Sequence, residues 1–311
     1  GFIYHENTLV DFGIPTFICV SLGLLFHFLG RSKNQGMGRR DAFLIVSTTW
    51  LLFSIIGMLP FLLSGVVTRP SVAFFETMSG FTTTGATALN GIDALPHSIL
   101  FWRSLTHWVG GVGIVFFTIA IMPNADASEQ KMFTAESTGL KIGKLHPRVR
   151  STARWIGGLY VFLTLACILA LYLGGMDTFD AINHGFSTLA TGGFSTHQDS
   201  IAFFHSARIE NILMVFMVLA SLNFTVLYLG LFKKHWKDMW KDDELRVFLG
   251  IVLTIALIGM LVLYFRDHRT LADAARLSFF HTISIQSTTG FTTEDFMNWD
   301  PSTWVFVAFI T

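Results

Sequence analysis

The chain has little charge, few cysteines and no metal-binding cysteine spacing. Only 14% of its 311 residues are charged, and the formal net charge is zero. No excess of basic residues therefore draws it toward nucleic acid. Cys19 and Cys167 both lie in apolar segments and no CxxC pattern occurs, which argues against a disulfide scaffold and a cysteine metal site. We therefore expect no nucleic-acid partner, no transition-metal site and no covalently bound cofactor.

The chain is rich in apolar residues. They account for 52% of it, the mean hydropathy is +0.56, and 32 phenylalanines and eight tryptophans are present. This composition is typical of an all-α polytopic membrane protein. Gly1 is not an initiator methionine, and the last apolar run is shorter than the roughly 20 residues that cross a bilayer. We therefore expect a fragment cut at both ends.

Long and short apolar segments alternate along the chain. Segments long enough to span a bilayer lie at 12–30, 42–65, 99–122, 155–174, 209–232 and 247–265, and a seventh opens at Thr303. Segments of about 10 to 15 residues, at 72–82, 179–190 and 273–287, are too short to span. They predict re-entrant helices, which membranes tolerate inside a protein or beside an aqueous path.

Fifteen of the 21 basic residues fall in three linkers, which the positive-inside rule places in the cytoplasm. These linkers run from Arg31 to Arg40, from Lys131 to Arg154 and from Lys233 to Arg246. The short segments then face the opposite side. The outer segments carry Asp93, Asp199, Glu294, Asp295 and Asp300 and no lysine or arginine. We expect their negative field to concentrate cations at an entrance.

A glycine motif recurs three times, always after a short segment and before a long one. "TTTGATAL", "LATGGFST" and "STTGFTTE" contain Gly85, Gly193 and Gly290, which are 108 and 97 residues apart. Glycine permits backbone angles that turn successive carbonyls toward one axis, where they can replace the hydration shell of an alkali cation. One such motif is usually a helix break or a packing contact, but three with consistent spacing favour a pore.

Several polar residues near the motifs allow competing interpretations. Glu76, His184 and His281 each lie nine residues before one of the three glycines. These equivalent positions favour a hydrogen bond from each residue to its own loop over one metal site shared by all three. Arg103 lies near the end of its span, and this position indicates that it anchors a pore loop. An intramembrane hydrolase using Ser187 with His184 is the alternative function, although it leaves the repetition unexplained and no GxSxG motif occurs.

The chain resembles the TrkH-type membrane subunits of the Trk/Ktr/HKT superfamily of potassium transporters. The resemblance rests on "FFETMSGFTTTGAT", "GIDALPHSILFWRSLTHWVGGVGI", "GMDTFDAINHGFSTLATGGFSTHQDSI" and "STTGFTT". It implies span–pore-helix–span units around a pseudo-fourfold pore, with three of four units present and the third incomplete. The fourth unit and a glycine-rich gating loop are expected beyond Thr311.

The resemblance also assigns a potassium filter, position by position. The filter residues are Thr83, Thr84 and Gly85, then Thr191, Gly192 and Gly193, then Thr288, Thr289 and Gly290. Gly192 departs from the Thr-Thr-Gly pattern, which removes a hydroxyl from the second wall. Glu76, His184, His281 and Arg103 are the candidate supports of the filter.

This resemblance predicts six regions. They are an N-terminal helical region with a linker at 1–41, pore units at 42–124, 153–232 and 245–311, and cytoplasmic linkers at 125–152 and 233–244. It implies potassium uptake across the bacterial inner membrane, a homodimer, and a cytosolic RCK-type nucleotide-binding regulatory partner. The substrate is the potassium ion, and channel-like conduction and proton symport both remain open at this stage.

Overall fold

The computed structural model describes residues 4–6, 8–30, 39–121, 149–231 and 236–294. Within those ranges every regular element is a helix and no strand occurs, which confirms the all-helical expectation. The α-helices, in chain order, are α1 Leu9–Leu29, α2 Arg39–Gly57, α3 Leu59–Leu63, α4 Pro70–Phe81, α5 His97–Ile121, α6 Val149–Leu173, α7 Thr178–Leu189, α8 Ala207–Ser221, α9 Phe224–Leu231, α10 Trp236–Trp240, α11 Asp243–Arg266 and α12 Leu271–Gln286. Two 3₁₀-helices, Ile92–Ala94 and Ser200–Phe204, follow α4 and α7.

Several predicted features lie outside the described residues. These are the seventh apolar run from Thr303, most of the linkers at 31–38 and 122–148, the short stretch at 232–235, and the acidic residues Asp295 and Asp300.

Three helices of the described ranges are long and apolar enough to cross a membrane: α1, the 19 residues Trp155–Leu173 of α6, and α11. Their mean hydropathies are between 2.0 and 2.7. Apolar side chains such as Leu165 and Leu169 on α6 and Leu253 on α11 are more than half exposed. An apolar surface of this kind suits contact with lipid.

Two of the predicted spans are interrupted, which corrects the expectation of continuous helices. The segment 42–65 forms α2 and α3, which meet at Met58 ahead of Pro60. Proline at the start of a helix is favourable, whereas inside one it removes a backbone hydrogen bond. The segment 209–232 forms α8 and α9, because Leu222 adopts an extended conformation with ψ of 152°. Apolarity alone gave no signal for these breaks.

The three short segments form helices close to their predicted bounds. These helices, α4, α7 and α12, have 12, 12 and 16 residues. Pro70 occupies the first position of α4, where its missing N–H costs nothing. The Asp177 carboxylate accepts from the Phe179 N–H at the start of α7, and Thr270 caps α12 through the Asp273 N–H. Local sequence therefore fixes where each short helix begins.

The largest core cluster surrounds α7. Its buried apolar residues come from α5, α6, α7, α8, α9, α11 and α12 and from the segments between them, and Leu213, Met217 and Phe280 are fully buried within it. A second cluster, which includes Phe61 and Ile99, packs α3, α4 and α5 together. The short helices are thus enclosed by longer ones, and their C-terminal ends lead directly into the glycine motifs.

Candidate functional site

Each short helix ends in a loop with the same backbone conformation. We call residues 82–87, 190–195 and 287–292 the first, second and third glycine loops. Their glycines have positive φ angles of 75°, 82° and 79° at Gly85, Gly193 and Gly290. The prediction that these glycines supply unusual backbone angles is therefore confirmed.

A threonine two residues before each glycine also has a positive φ angle. The values are 54°, 53° and 58° at Thr83, Thr191 and Thr288. Such angles are rare for a β-branched side chain and cost about 1–3 kcal/mol each. The sequence motifs gave no indication of this strain. Because the same unfavourable φ angle recurs at three equivalent threonines, the intrinsic preference of threonine does not account for the loop conformation.

Hydrogen bonds explain how the chain turns at these threonines. In the first loop, the Thr83 N–H donates to the Gly80 carbonyl and the Thr84 N–H donates to the Ser79 carbonyl, at 3.1 and 2.9 Å. This pair of bonds is the Schellman motif, which ends a helix with a left-handed residue that is usually glycine. The other loops repeat it: Gly192 and Thr289 donate to the carbonyls of Ser187 and Ser284, each at 2.9 Å.

Neighbouring loops touch at their glycines. A Cβ at Gly85 would lie 1.9 Å from the carbonyl oxygen of Gly192, and a Cβ at Gly193 would lie 1.9 Å from the carbonyl oxygen of Thr289. The same atom at Gly290 would meet nothing within 4 Å in the described structure. Gly85 thus adjoins the peptide that precedes Gly193, and Gly193 adjoins the peptide that precedes Gly290. The three loops therefore follow one another in an arc, with their backbones in direct contact.

A buried ion pair holds the first loop. The Arg103 guanidinium, from α5, donates to the Glu76 carboxylate of α4 at 2.8 Å, and both side chains are at most 1% exposed. The same carboxylate accepts from the Thr87 hydroxyl and the Ala88 N–H. An opposite charge and further hydrogen bonds compensate a buried carboxylate for the loss of water. Glu76 therefore fixes the chain two and three residues after Gly85.

Arg103 also reaches the second loop. Its Nη1 donates to the Ser195 carbonyl at 3.1 Å, and its guanidinium lies 4.3 Å from the centre of the Phe194 ring. An arginine over an aromatic face is a favourable arrangement. The structure thus places Arg103 between two loops, where it anchors both, whereas the sequence suggested anchoring without indicating which loop.

Of the two histidines equivalent to Glu76, one contacts the second loop and the other contacts the residue directly after the third loop. His184 places Nε2 3.0 Å from the Ser195 hydroxyl and Nδ1 2.9 Å from the Asp180 carbonyl. His281 places Nε2 3.3 Å from the Thr293 hydroxyl. All three residues at this position therefore bond to the segment two or three residues beyond the loop glycine, as the sequence predicted. No group of three His, Cys, Asp or Glu side chains in the described ranges is arranged to hold a metal ion.

The hydrolase alternative lacks its required pair. Ser187 lies 3.1 Å from Nδ1 of His107, while His184 is engaged by Ser195 and Asp180. Ser187, His184 and His107 are all fully buried. A nucleophile needs a base in hydrogen-bonding reach and access to substrate, so the predicted pair of Ser187 and His184 is not formed.

The outer segments are less negative than their composition indicated. Asp93 lies 2.7 Å from Nδ1 of His197, whose Nε2 lies 3.3 Å from the Asp180 carboxylate. Glu294 is paired with Arg269, which precedes α12 and was not counted among the outer residues. Burial raises the pKa of Asp93, but hydrogen bonds from His197 and the Gln198 N–H outweigh it and hold that pKa below its ordinary value. The ion pair of Arg269 with Glu294 offsets one of the predicted negative charges.

The outer segments also connect the regions around successive glycine loops. The N–H of Ile92, in the first 3₁₀-helix, donates to the Gln198 side chain beyond the second loop at 3.3 Å. The N–H groups of Ile201 and Ala202, in the second 3₁₀-helix, donate to the Thr292 carbonyl of the third loop at 3.0 and 3.1 Å. Sequence reasoning missed these contacts, because they join residues about 90 to 106 positions apart with no shared motif.

Comparison with known proteins gives consistent matches along most of the chain. A family model described as TrkH, cation transport protein, matches residues 10–311. The Trk system potassium uptake protein TrkH of Escherichia coli (strain K12) is 38% identical over 303 residues, covering 96% of this chain and 62% of that protein. The Trk system potassium uptake protein TrkG of the same strain is 33% identical, covering 98% and 63%.

A solved structure shares the fold. The crystal structure of the potassium transporter TrkH from Vibrio parahaemolyticus superposes with a TM-score of 0.86 at 37% identity. The superposition covers 99% of this chain and 64% of that one. The chain therefore spans a little under two thirds of the length of these relatives.

Proposed function

The chain belongs to the TrkH family of cation transport proteins, and from this premise we propose that it conducts potassium as the membrane subunit of a Trk-type uptake system. This family consists of transporters rather than enzymes. We accordingly assign no catalytic residues, and the potassium ion is a transported substrate rather than a cofactor.

The observation that carries the proposal is the repeated loop backbone. The carbonyl oxygens of Gly192 and Thr289, each one residue before a positive-φ glycine, lie against the glycine of the preceding loop, and this repeated contact supports the proposal. Carbonyl oxygens on a shared axis replace the water shell of a dehydrated potassium ion without any carboxylate. The filter residues are Thr83, Thr84, Gly85, Thr191, Gly192, Gly193, Thr288, Thr289 and Gly290. A fourth loop beside Gly290 completes the pseudo-fourfold ring in this proposal.

Helix ends add to the attraction for a cation. The helices α4, α7 and α12 run directly into the three loops at their C-termini. A helix C-terminus carries about half a negative charge, and the effect is strongest within the last turn. Three such ends aimed at one site favour a monovalent cation. The negative potential comes from peptide dipoles, so it needs no side chain that protonation could neutralise.

Glu76, His184, His281 and Arg103 act as supports of this filter. Each bonds to the segment beyond a loop glycine, and none contributes to the arc of loop carbonyls. Rigid backbone dipoles discriminate between ions better than mobile ones when the size of the site matters. The supports therefore limit how far the loops can contract around a smaller ion.

The setting of the pore follows from the same premise. The protein lies in a bacterial inner membrane as a multi-pass homodimer, with the basic linkers in the cytoplasm and the glycine loops opening outward. The cytosolic partner is an RCK-type nucleotide-binding ring. Uptake then proceeds from the outer segments through the loops toward the cytoplasm.

A flux measurement tests the function. The complete natural gene product, reconstituted in liposomes, is expected to take up rubidium, and excess potassium should compete far better than sodium. Equal competition by the two ions contradicts the potassium filter. Reversal potentials measured against an imposed proton gradient distinguish the two mechanisms, because only proton symport shifts them with pH.

A further inference from the structure

The second glycine loop lacks a hydroxyl pair that the other two contain. In the first loop the hydroxyl oxygens of Thr82 and Thr84 are 2.8 Å apart. In the third loop those of Ser287 and Thr289 are also 2.8 Å apart. Each pair links the first residue after the helix to the residue before the glycine. Alanine and glycine, at 190 and 192, occupy the equivalent positions of the second loop.

An imidazole from α5 occupies the space where a side chain at position 192 would lie. A Cβ at Gly192 would lie 2.2 Å from Nδ1 of His107 and 2.5 Å from two of its ring carbons. The ring is fully buried, and Nδ1 lies 3.1 Å from the Ser187 hydroxyl. It stacks on Phe194 with ring centres 4.0 Å apart and an angle of 14°. His107 therefore contacts Ser187 in α7 before the loop and Phe194 in the loop after Gly192.

We propose that His107 is a positioning residue that sets the carbonyl of Gly192 and thereby tunes the potassium selectivity of the second wall. This inference rests on the filter function proposed above. The ring lies against the Cα of Gly192, whose carbonyl oxygen adjoins Gly85 and whose N–H donates to Ser187. The imidazole thus fixes the two peptide groups on either side of the Gly192 Cα, and it does so without lying among the loop carbonyls. A residue of the first unit controls a wall of the second.

The absence of a side chain at Gly192 is then a requirement. The φ angle does not demand glycine here, since the left-handed residues of this loop are Thr191 and Gly193. Only the closeness of His107 excludes a larger residue. In this inference His107 takes the place of the hydroxyl pair, and Ala190 and Gly192 leave room for it. This explains why the second loop departs from the Thr-Thr-Gly pattern that the first and third loops keep.

Two replacements separate positioning from simple packing. An asparagine amide reaches roughly where Nδ1 of histidine lies, whereas a glutamine amide reaches roughly where Nε2 lies. In the described structure Nδ1 faces the Ser187 hydroxyl, and Nε2 has no hydrogen-bond partner. Positioning through Nδ1 therefore predicts that His107→Asn keeps the wild-type selectivity and that His107→Gln does not. Simple packing predicts that the bulkier glutamine is tolerated better than asparagine.

The first experiment measures rubidium uptake by the complete gene product in liposomes, with potassium or sodium as competitor. His107→Ala is expected to lower the potassium-to-sodium competition ratio about tenfold, the effect of losing one buried hydrogen bond near 1.4 kcal/mol. His107→Asn should stay within about threefold of wild type. The matched control is His27→Ala, because His27 is exposed on α1 away from the loops.

The second experiment restores the hydroxyl pair. Ala190→Ser with Gly192→Thr should abolish selective uptake when His107 is present, because the new side chain overlaps the ring. The same two changes combined with His107→Ala should recover the ratio that His107→Ala alone loses. Wild-type selectivity in folded His107→Ala, or no recovery in the triple variant, overturns the inference. A wild-type protein that does not distinguish potassium from sodium contradicts the filter function itself.

Where His107→Ala does not yield folded protein, the comparison of asparagine with glutamine decides. A competition ratio preserved by His107→Asn and lost in His107→Gln supports positioning. Equal ratios in both variants, or the reverse order, overturn it. Size-exclusion profiles identify the folded variants before any flux is compared.

Discussion

The α-carbon of Gly85 lies against the peptide of Gly192, so that a Cβ there would be 1.9 Å from the Gly192 carbonyl oxygen. A real Cβ cannot approach so closely, and Gly85 also has a φ of 75°. Gly85→Ser must therefore displace the neighbouring carbonyl as well as strain its own backbone. We expect potassium-over-sodium competition to fall about tenfold or more. Rubidium flux into liposomes measures this loss.

Two control variants separate the contributions to that loss. Gly65→Ser, after α3, meets nothing within 4 Å in the described structure but has a φ of 73°, so it carries strain without the clash and lies outside the glycine loops. Gly250→Ser, in α11, carries neither. Selectivity is expected to fall in Gly85→Ser and to stay near the wild-type value in Gly65→Ser and Gly250→Ser. Unchanged selectivity in folded Gly85→Ser removes the first loop from the filter.

The pair of Arg103 and Glu76 predicts a large cost for removing one charge. Glu76→Gln leaves the guanidinium buried without its partner, which typically destabilises a protein by about 3–5 kcal/mol. Thermal unfolding in detergent should show a clear drop in midpoint. Replacing both residues with methionine should cost less than either single change, because no unpaired charge remains. Additive losses in the double variant contradict a coupled pair.

An exposed pair provides the control. Arg246 and Asp243 are 3.9 Å apart, and their side chains are 54% and 94% exposed. Surface pairs of this kind contribute about 0–1 kcal/mol. Asp243→Asn should therefore leave the midpoint nearly unchanged. An equal drop in both variants would show that the assay does not report on the buried pair.

The sequence predicted the positions of the short helices and the glycine angles because both have local causes. Pro70, Asp177 and Thr270 mark helix starts, and a glycine between apolar segments marks a required turn. The contacts of Arg103 with Ser195 and of His107 with Gly192 depend on how separate units pack. The first two residues are 92 positions apart in the sequence and the second two are 85 positions apart, and no sequence pattern indicates that they lie close together. The breaks at Met58 and Leu222 were missed because an apolar run does not show whether its helix continues.

The left-handed threonines predict an unusual gain in stability. At Thr288 the φ of 58° costs about 1–3 kcal/mol, whereas glycine loses about 0.5–1 kcal/mol in chain entropy. Thr288→Gly should therefore stabilise the fold by about 0.5–2 kcal/mol. Thermal midpoints in detergent measure the change, and Thr254→Gly inside α11 is the control, expected to lower the midpoint. A lower midpoint for Thr288→Gly would show that its side-chain contacts outweigh the strain.

The pair of Asp93 and His197 predicts a defined pH window. Hydrogen bonds lower the folded pKa of Asp93 below its unfolded value near 4. Its contribution to stability is therefore fully present above about pH 4 and disappears as the pH falls through the folded pKa. Asp93→Asn should lower the unfolding midpoint at pH 6 and make a smaller difference near pH 3. In a His197→Ala background the same change should have much less effect at pH 6; an undiminished effect would contradict the pairing.

The direction of uptake depends on which side the outer segments occupy, and cysteine labelling tests it. Cys19 is exposed and must be removed first, together with the buried Cys167. Asn90 is exposed beside the first 3₁₀-helix, so Asn90→Cys should react with an impermeant maleimide added outside intact cells. Ser200 is a poorer position, because its hydroxyl accepts from the Thr292 N–H and its φ is 54°.

Ser137→Cys is the matched probe for the opposite side. Ser137 belongs to the basic linker that runs from Lys131 to Arg154, which the positive-inside rule assigns to the cytoplasm. A cysteine there should stay unlabelled in intact cells and react once the membrane is permeabilised, with equal expression of both variants verified by a blot. Labelling of Ser137→Cys from outside, with Asn90→Cys protected, reverses the topology. The glycine loops would then open to the cytoplasm, and a cation could not enter from outside through them first.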